Sequence, residues 1–158
     1  MRKRIIRDEN TPAAAREPLN WLNIERLAEV EITSEDPEHP IDAALAPAES
    51  SGWRAAEPGE QKIRIVFDEP QPIRRIQLVF DEDENERTQE FVLGWSADRI
   101  GPVKDIVRQQ YNFSPPATTR ELEDYRVNLP DVAAIELRIK PDISGGPSRA
   151  SLHQLRLS

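Results

Sequence analysis

Two histidines are the first residues to weigh for chemistry. His39 and His153 lie far apart, in neither an HxH nor an HExxH spacing, so neither reads as a metal ligand or a general base. The densest acidic run, Asp81-Glu82-Asp83-Glu84-Asn85-Glu86, holds five carboxylates in six residues. A calcium loop of the EF-hand kind needs a central glycine and a closing glutamate, and that pattern is missing, so the run reads as a solvated hairpin tip. No GxSxG element is present, and Ser144-Gly145-Gly146-Pro147 has neither a lysine nor a following helix to hold a phosphate. Carboxylate pairs abound on any acidic surface, and glycosidase geometry is not written in a sequence. The chain is therefore expected not to be an enzyme. Tyr111-Asn112-Phe113, ahead of Ser114-Pro115-Pro116, sets an aromatic, an amide and an aromatic at a strand-to-loop junction. Such a triplet suits a recognition loop, or else its two rings pin the loop down.

Composition bounds the partners. The 158 residues carry 29 acidic and 21 basic side chains, a net charge of −8, so a nucleic-acid backbone is repelled on average and no nucleic-acid partner is expected. No apolar run approaches the roughly 18 residues of a membrane span. The basic start, Met1-Arg2-Lys3-Arg4, has no apolar stretch behind it. With the absence of cysteine, this makes a cytoplasmic protein the expectation.

The elements that must position these residues are strands. Ile63, Ile65 and Phe67 share one face of a run that sets Lys62, Arg64 and Val66 on the other, and Ile76, Leu78 and Phe80 repeat the pattern. Period two marks a half-buried strand. Asp68-Glu69-Pro70-Gln71-Pro72 between them lacks two backbone donors, so two neighbouring strands joined by a turn are expected. Further strands are read at Glu29–Thr33, around Phe91, Leu93 and Trp95, from Val103 to Tyr111, around Tyr125, Val127 and Leu129, around Ile135, Leu137 and Ile139, and at Leu155 and Leu157. Trp21, Ile24 and Leu27 recur at helical spacing after Pro18 and Asn20, and Ile41 to Ala46 suits one helical turn stopped by Pro47. Residues 1–27 thus form an arm and short helix, and 28–158 one all-β domain, a jelly-roll sandwich of about eight antiparallel strands. Trp95 belongs to its core. Trp53, flanked by loops, either plugs the end of the sandwich or offers a stacking face.

The order of these pieces resembles the discoidin, or coagulation factor 5/8 type C, family of galactose-binding-like domains, from Glu29 to Ser158. The resemblance rests on Ile41-Asp42-Ala43, Gly52-Trp53 before the strand Gln61 to Phe67, Pro72 to Leu78, Phe91 to Asp98 ending Trp-Ser-Ala-Asp, Ala133 to Ile139, and Ala150 to Leu157. It implies a ligand site at loops of one end of the sandwich, with Trp53, Arg54, Tyr111, Asn112 and Phe113 as candidate ligand-binding residues. An Arg54 fork can bond sugar hydroxyls or a carboxylate. The resemblance also implies a structural calcium ion as the one candidate cofactor, with Asp42 and Gln154 as its ligands. Gln154 stands where members carry a glutamate, which removes one charge from that site.

Two readings follow. In the first the chain is a non-catalytic ligand-binding module whose partner is a carbohydrate. In the second it is an intracellular domain that binds a protein partner, with the basic start taking part.

Overall fold

The structure, a computed structural model, describes residues 21–46 and 51–158. The basic arm, Pro18, Asn20 and the loop residues Ala48-Glu49-Ser50 lie outside the described residues. Within them the chain runs α1 (Ile24–Leu27), β1 (Ala28–Ile32), α2 (Ile41–Leu45), β2 (Trp53–Pro58), β3 (Gln61–Asp81), β4 (Arg87–Ser96), β5 (Lys104–Phe113), β6 (Arg120–Lys140), β7 (Arg149–Leu152) and β8 (Gln154–Leu157). All named strand pairs are antiparallel. The result is the expected two-layer jelly-roll sandwich of eight strands.

Its organisation departs from the sequence reading at β3. The two alternating runs are not neighbours paired with each other. They are the two halves of one long bent strand, and both pair with β6. The first half (Gln61 to Val66) lies between β1 and the second half of β6; the second half (Ile76 to Val79) lies between β8 and the first half of β6. The register breaks between Val66 and Arg75, where Pro70 and Pro72 supply no N–H. The backbone there stays extended, so the prolines bend the strand from one layer into the other instead of ending it. β6 does the same around Pro130, which joins the two runs read as separate strands. The strand at Trp53–Pro58 was not expected either; it pairs with β7 as a ribbon beside the main sheet.

The apolar faces meet as the alternation requires. Ile63, Ile65, Phe67, Ile76, Leu78, Phe80, Phe91 and Leu93 are all buried. Phe80 of one layer meets Phe91 of the other with ring centroids 5.3 Å apart. Full burial of each such side chain contributes about 1.5–3 kcal/mol. The outer face of the main sheet instead carries a row of ion pairs, in which Glu136 joins Arg64 (3.3 Å) and Arg138 (3.5 Å), and Arg138 reaches Asp105 (3.7 Å). Trp95 is half-buried against the core, with the Lys104 ammonium 5.5 Å from its ring. α1 starts later than Pro18 and Asn20 suggest, with Asn23 at its N-cap.

Candidate functional site

The loop after β1 is stitched onto β2. Asp36 N–H donates to the Arg54 carbonyl (2.8 Å) and Arg54 N–H to the His39 carbonyl (3.1 Å). The Trp53 indole N–H donates to the Ser34 carbonyl (3.1 Å), and Glu35 accepts from the Ile41 N–H (2.9 Å) at the start of α2. Gly52 lets this corner close: its φ is +78°, and a Cβ there would stand 2.6 Å from the Leu152 carbonyl oxygen.

The acidic tip between β3 and β4 is not merely solvated. Glu82 accepts from the Arg87 Nε–H (2.7 Å) and from the N–H groups of Glu84 and Asn85 (3.0 Å each), and its own N–H reaches the Thr119 carbonyl (2.8 Å). Burial pushes the Glu82 carboxyl up, but these bonds outweigh it and hold the group below its usual range. Asp81 accepts from Arg120 through both oxygens (2.7 and 3.0 Å) and lies 3.3 Å from His153 Nδ1.

Two clefts flank this tip. The first, about 470 Å³, is lined by His39, Arg54, Asp81 to Glu84, Arg120, Arg149 and Ser151. The second, about 480 Å³, is lined by Glu86, Arg87, Thr88, Asn112, Phe113 and Ser144. Both fall in the size range of small-ligand sites, about 300–1,000 Å³. In the first cleft Asp36 stands behind His39 (3.7 Å) and Arg149 (3.9 Å). The Glu38 N–H chiefly, and then His39 and Arg149, hold the Asp36 carboxyl below its usual range against desolvation.

The expected ligand-binding residues do not converge. Arg54 faces the first cleft and is exposed, whereas Asn112 lines the second. Trp53 is 1% exposed and plugs the sandwich, so it offers no stacking face. Tyr111 and Phe113 stand inside β5 rather than in a loop. Phe113 is buried, Tyr111 packs edge-on against it (5.0 Å), and the Tyr111 hydroxyl donates to the Arg120 carbonyl (2.9 Å), so the rings pin the structure. Residues the sequence did not single out, Asp81, Arg120, Arg149 and Ser151, complete the first cleft. Asp81 and Arg120 are register-paired at the ends of β3 and β6, a pairing that alternation along either strand does not reveal.

The two residues expected to hold calcium supply a single carboxylate, fewer than the ion favours. Asp42 is exposed on α2. The Gln154 amide, turned to satisfy its neighbours, presents its oxygen to the Arg156 guanidinium (2.7 and 3.1 Å). Among the described residues no three acidic, histidine or cysteine side chains gather as a metal group. Also among them, no helix is long and apolar enough to cross a membrane.

No protein-family model matches the chain, and no curated protein matches it. Solved structures do. One is the family 32 carbohydrate-binding module of NanJ from C. perfringens in complex with galactose: TM-score 0.66, 11% identity, covering 87% of this chain and 96% of that one. A second is CpGH89CBM32-5 from Clostridium perfringens in complex with GalNAc-β-1,3-galactose: TM-score 0.64, 17% identity, 87% and 98% covered. A third is the CBM32 of AlyQ in complex with 4,5-unsaturated mannuronic acid: TM-score 0.61, 14% identity, 84% and 95% covered. Other similar structures are parts of enzymes. At these identities the likeness is one of fold, and this chain shares the β-sandwich jelly roll of those modules.

Proposed function

We propose that the chain is a non-catalytic carbohydrate-binding module that holds a saccharide in the first cleft. The observation that carries this reading is the mixture of groups around one 470 Å³ hollow: guanidinium, imidazole and hydroxyl donors from the loop after β1 and the β2–β7 ribbon share it with carboxylate acceptors from the β3–β4 tip. A sugar ring carries several hydroxyls, each both donor and acceptor, and a lining that mixes donors and acceptors matches it. Sugar-bound modules among the solved structures of the same fold support the assignment. The carboxylates of the cleft argue for binding over catalysis. A general acid needs a raised pKa, yet Glu82 is held low by its partners and Asp81 is engaged on both oxygens. Without an exposed ring to stack on, orientation rests on hydrogen bonds.

A glycan-array assay on the purified chain, run in calcium and again in chelator, tests this. Specific binding that survives chelation is the expected result, because Asp42 and Gln154 bring only one carboxylate between them. No binding in either buffer would overturn the sugar reading in favour of a protein partner.

A further inference from the structure

The charges of the first cleft are not equally engaged. Asp81 is paired with Arg120, and Glu82 with Arg87 and two amides. The Arg54 guanidinium, by contrast, makes no hydrogen bond or ion pair among the described residues, and the one ion pair of Arg149 there is with Asp36 at 3.9 Å, an oxygen that also faces His39. These two arginines stand on one ribbon. Arg54 is register-paired with Ser151, and Arg149 lies two residues before Ser151 on the same strand. Side chains two apart on a strand, and those directly opposite, share a face. Two exposed guanidinium forks therefore address the cleft from the same face of the ribbon, and the exposed Asp83 and Glu84 line the same cleft.

We propose that the cleft selects an acidic saccharide, a uronic acid residue whose carboxylate seats against Arg54 and Arg149 while its hydroxyls donate toward Asp83 and Glu84. This rests on the sugar-binding reading of the same cleft and names the class of sugar. A planar carboxylate matches the guanidinium fork, and charge-assisted bonds of this kind are about twice as strong as neutral ones. A neutral hexose offers the two cations only hydroxyl oxygens. The net charge of −8 does not forbid an anion, since charges beyond about 8 Å are screened at physiological ionic strength. Within the cleft Asp81 and Glu82 are already paired with Arg120 and Arg87, so the two guanidiniums set against Asp83 and Glu84 decide the local preference.

The test is calorimetric titration of the full chain with oligosaccharides of galacturonate, glucuronate and mannuronate, each beside the same oligosaccharide with its carboxyl groups reduced to alcohols. At least one uronate should bind about tenfold or more tighter than its reduced counterpart. Arg54→Gln and Arg149→Gln should each cut uronate affinity about ten- to a hundredfold and weaken the reduced sugar by a clearly smaller factor. The inference is overturned if no uronate beats its reduced counterpart, or if Arg54→Gln weakens both forms equally. A sulfated neutral oligosaccharide that outbinds every uronate would also overturn the carboxylate assignment. Binding of neutral sugars with no uronate preference would remove this inference alone, whereas failure of every sugar would remove the proposed function with it.

Discussion

Arg54 and Arg87 stand on the two sides of the acidic tip, one in each cleft, and the same side chain does opposite work in them. Arg87 has a fully buried side chain. It bonds Glu82 (2.7 Å), the Gln89 side chain (3.1 Å) and the Pro141 carbonyl (2.8 Å), and lies over the Phe113 ring at 4.7 Å. Arg54 is exposed and unpartnered among the described residues. The first cation holds the tip, β4 and the loop after β6 together; the second is available to a ligand. Residue type does not separate a structural arginine from a binding one. The acceptors around it do.

The largest effect expected from this contrast is on stability. Arg87→Ala should destabilise the fold by about 3–5 kcal/mol, because it strands Glu82, Gln89 and a buried carbonyl without their partner. Urea unfolding measures it, and a loss below about 1 kcal/mol would mean that Arg87 does not hold the tip. Next, Gly52→Ala should cost about 2 kcal/mol or more, since its left-handed backbone and the nearby Leu152 carbonyl leave no room for a Cβ. The same unfolding curve reads it, with the first cleft losing its corner.

A buried carboxyl sharpens the comparison. Glu121 is 1% exposed, and burial first, then Glu123, pushes it up to about 9 from 4.5. Between those values it is protonated in the fold and ionised in the unfolded chain. Its contribution is therefore full at the acid end of that window and is lost as pH rises toward 9. Glu121→Gln should flatten this slope and stabilise the chain by about 2 kcal/mol near pH 8. Unfolding at several pH values checks it, and a slope equal to the parent's would show that Glu121 is ionised in the fold. The smallest effect belongs to Arg54→Ala, with stability expected within about 0.5 kcal/mol of the parent, as suits an unpartnered surface side chain. A thermal melt that drops several degrees would give Arg54 a structural partner.

Much of the fold is legible in the residues. Ile63, Ile65 and Phe67, then Ile76, Leu78 and Phe80, announce their faces by alternation alone, and all six are buried. The turn at Asp68–Pro72 misleads because prolines report a break in a ladder without saying whether the chain reverses or bends. β2 escapes because Trp53-Arg54-Ala55-Ala56-Glu57-Pro58 is short and has few apolar residues, and it is held by pairing with β7, which lies far along the chain. The site is less legible. Arg54 was singled out, but Asp81 looked like part of a solvated run, and Arg120 and Arg149 carried no signal.

The sequence by itself determined the class of the fold, the buried faces and the absence of recognisable catalytic motifs, because alternation and motif spacing are local properties. Only the tertiary structure decided that Trp53 and Phe113 face inward, that Gln154 turns to Arg156, and which arginines are engaged. A hydrogen-bond partner such as the Pro141 carbonyl of Arg87 lies 54 residues away, and nothing local to Arg87 encodes that contact.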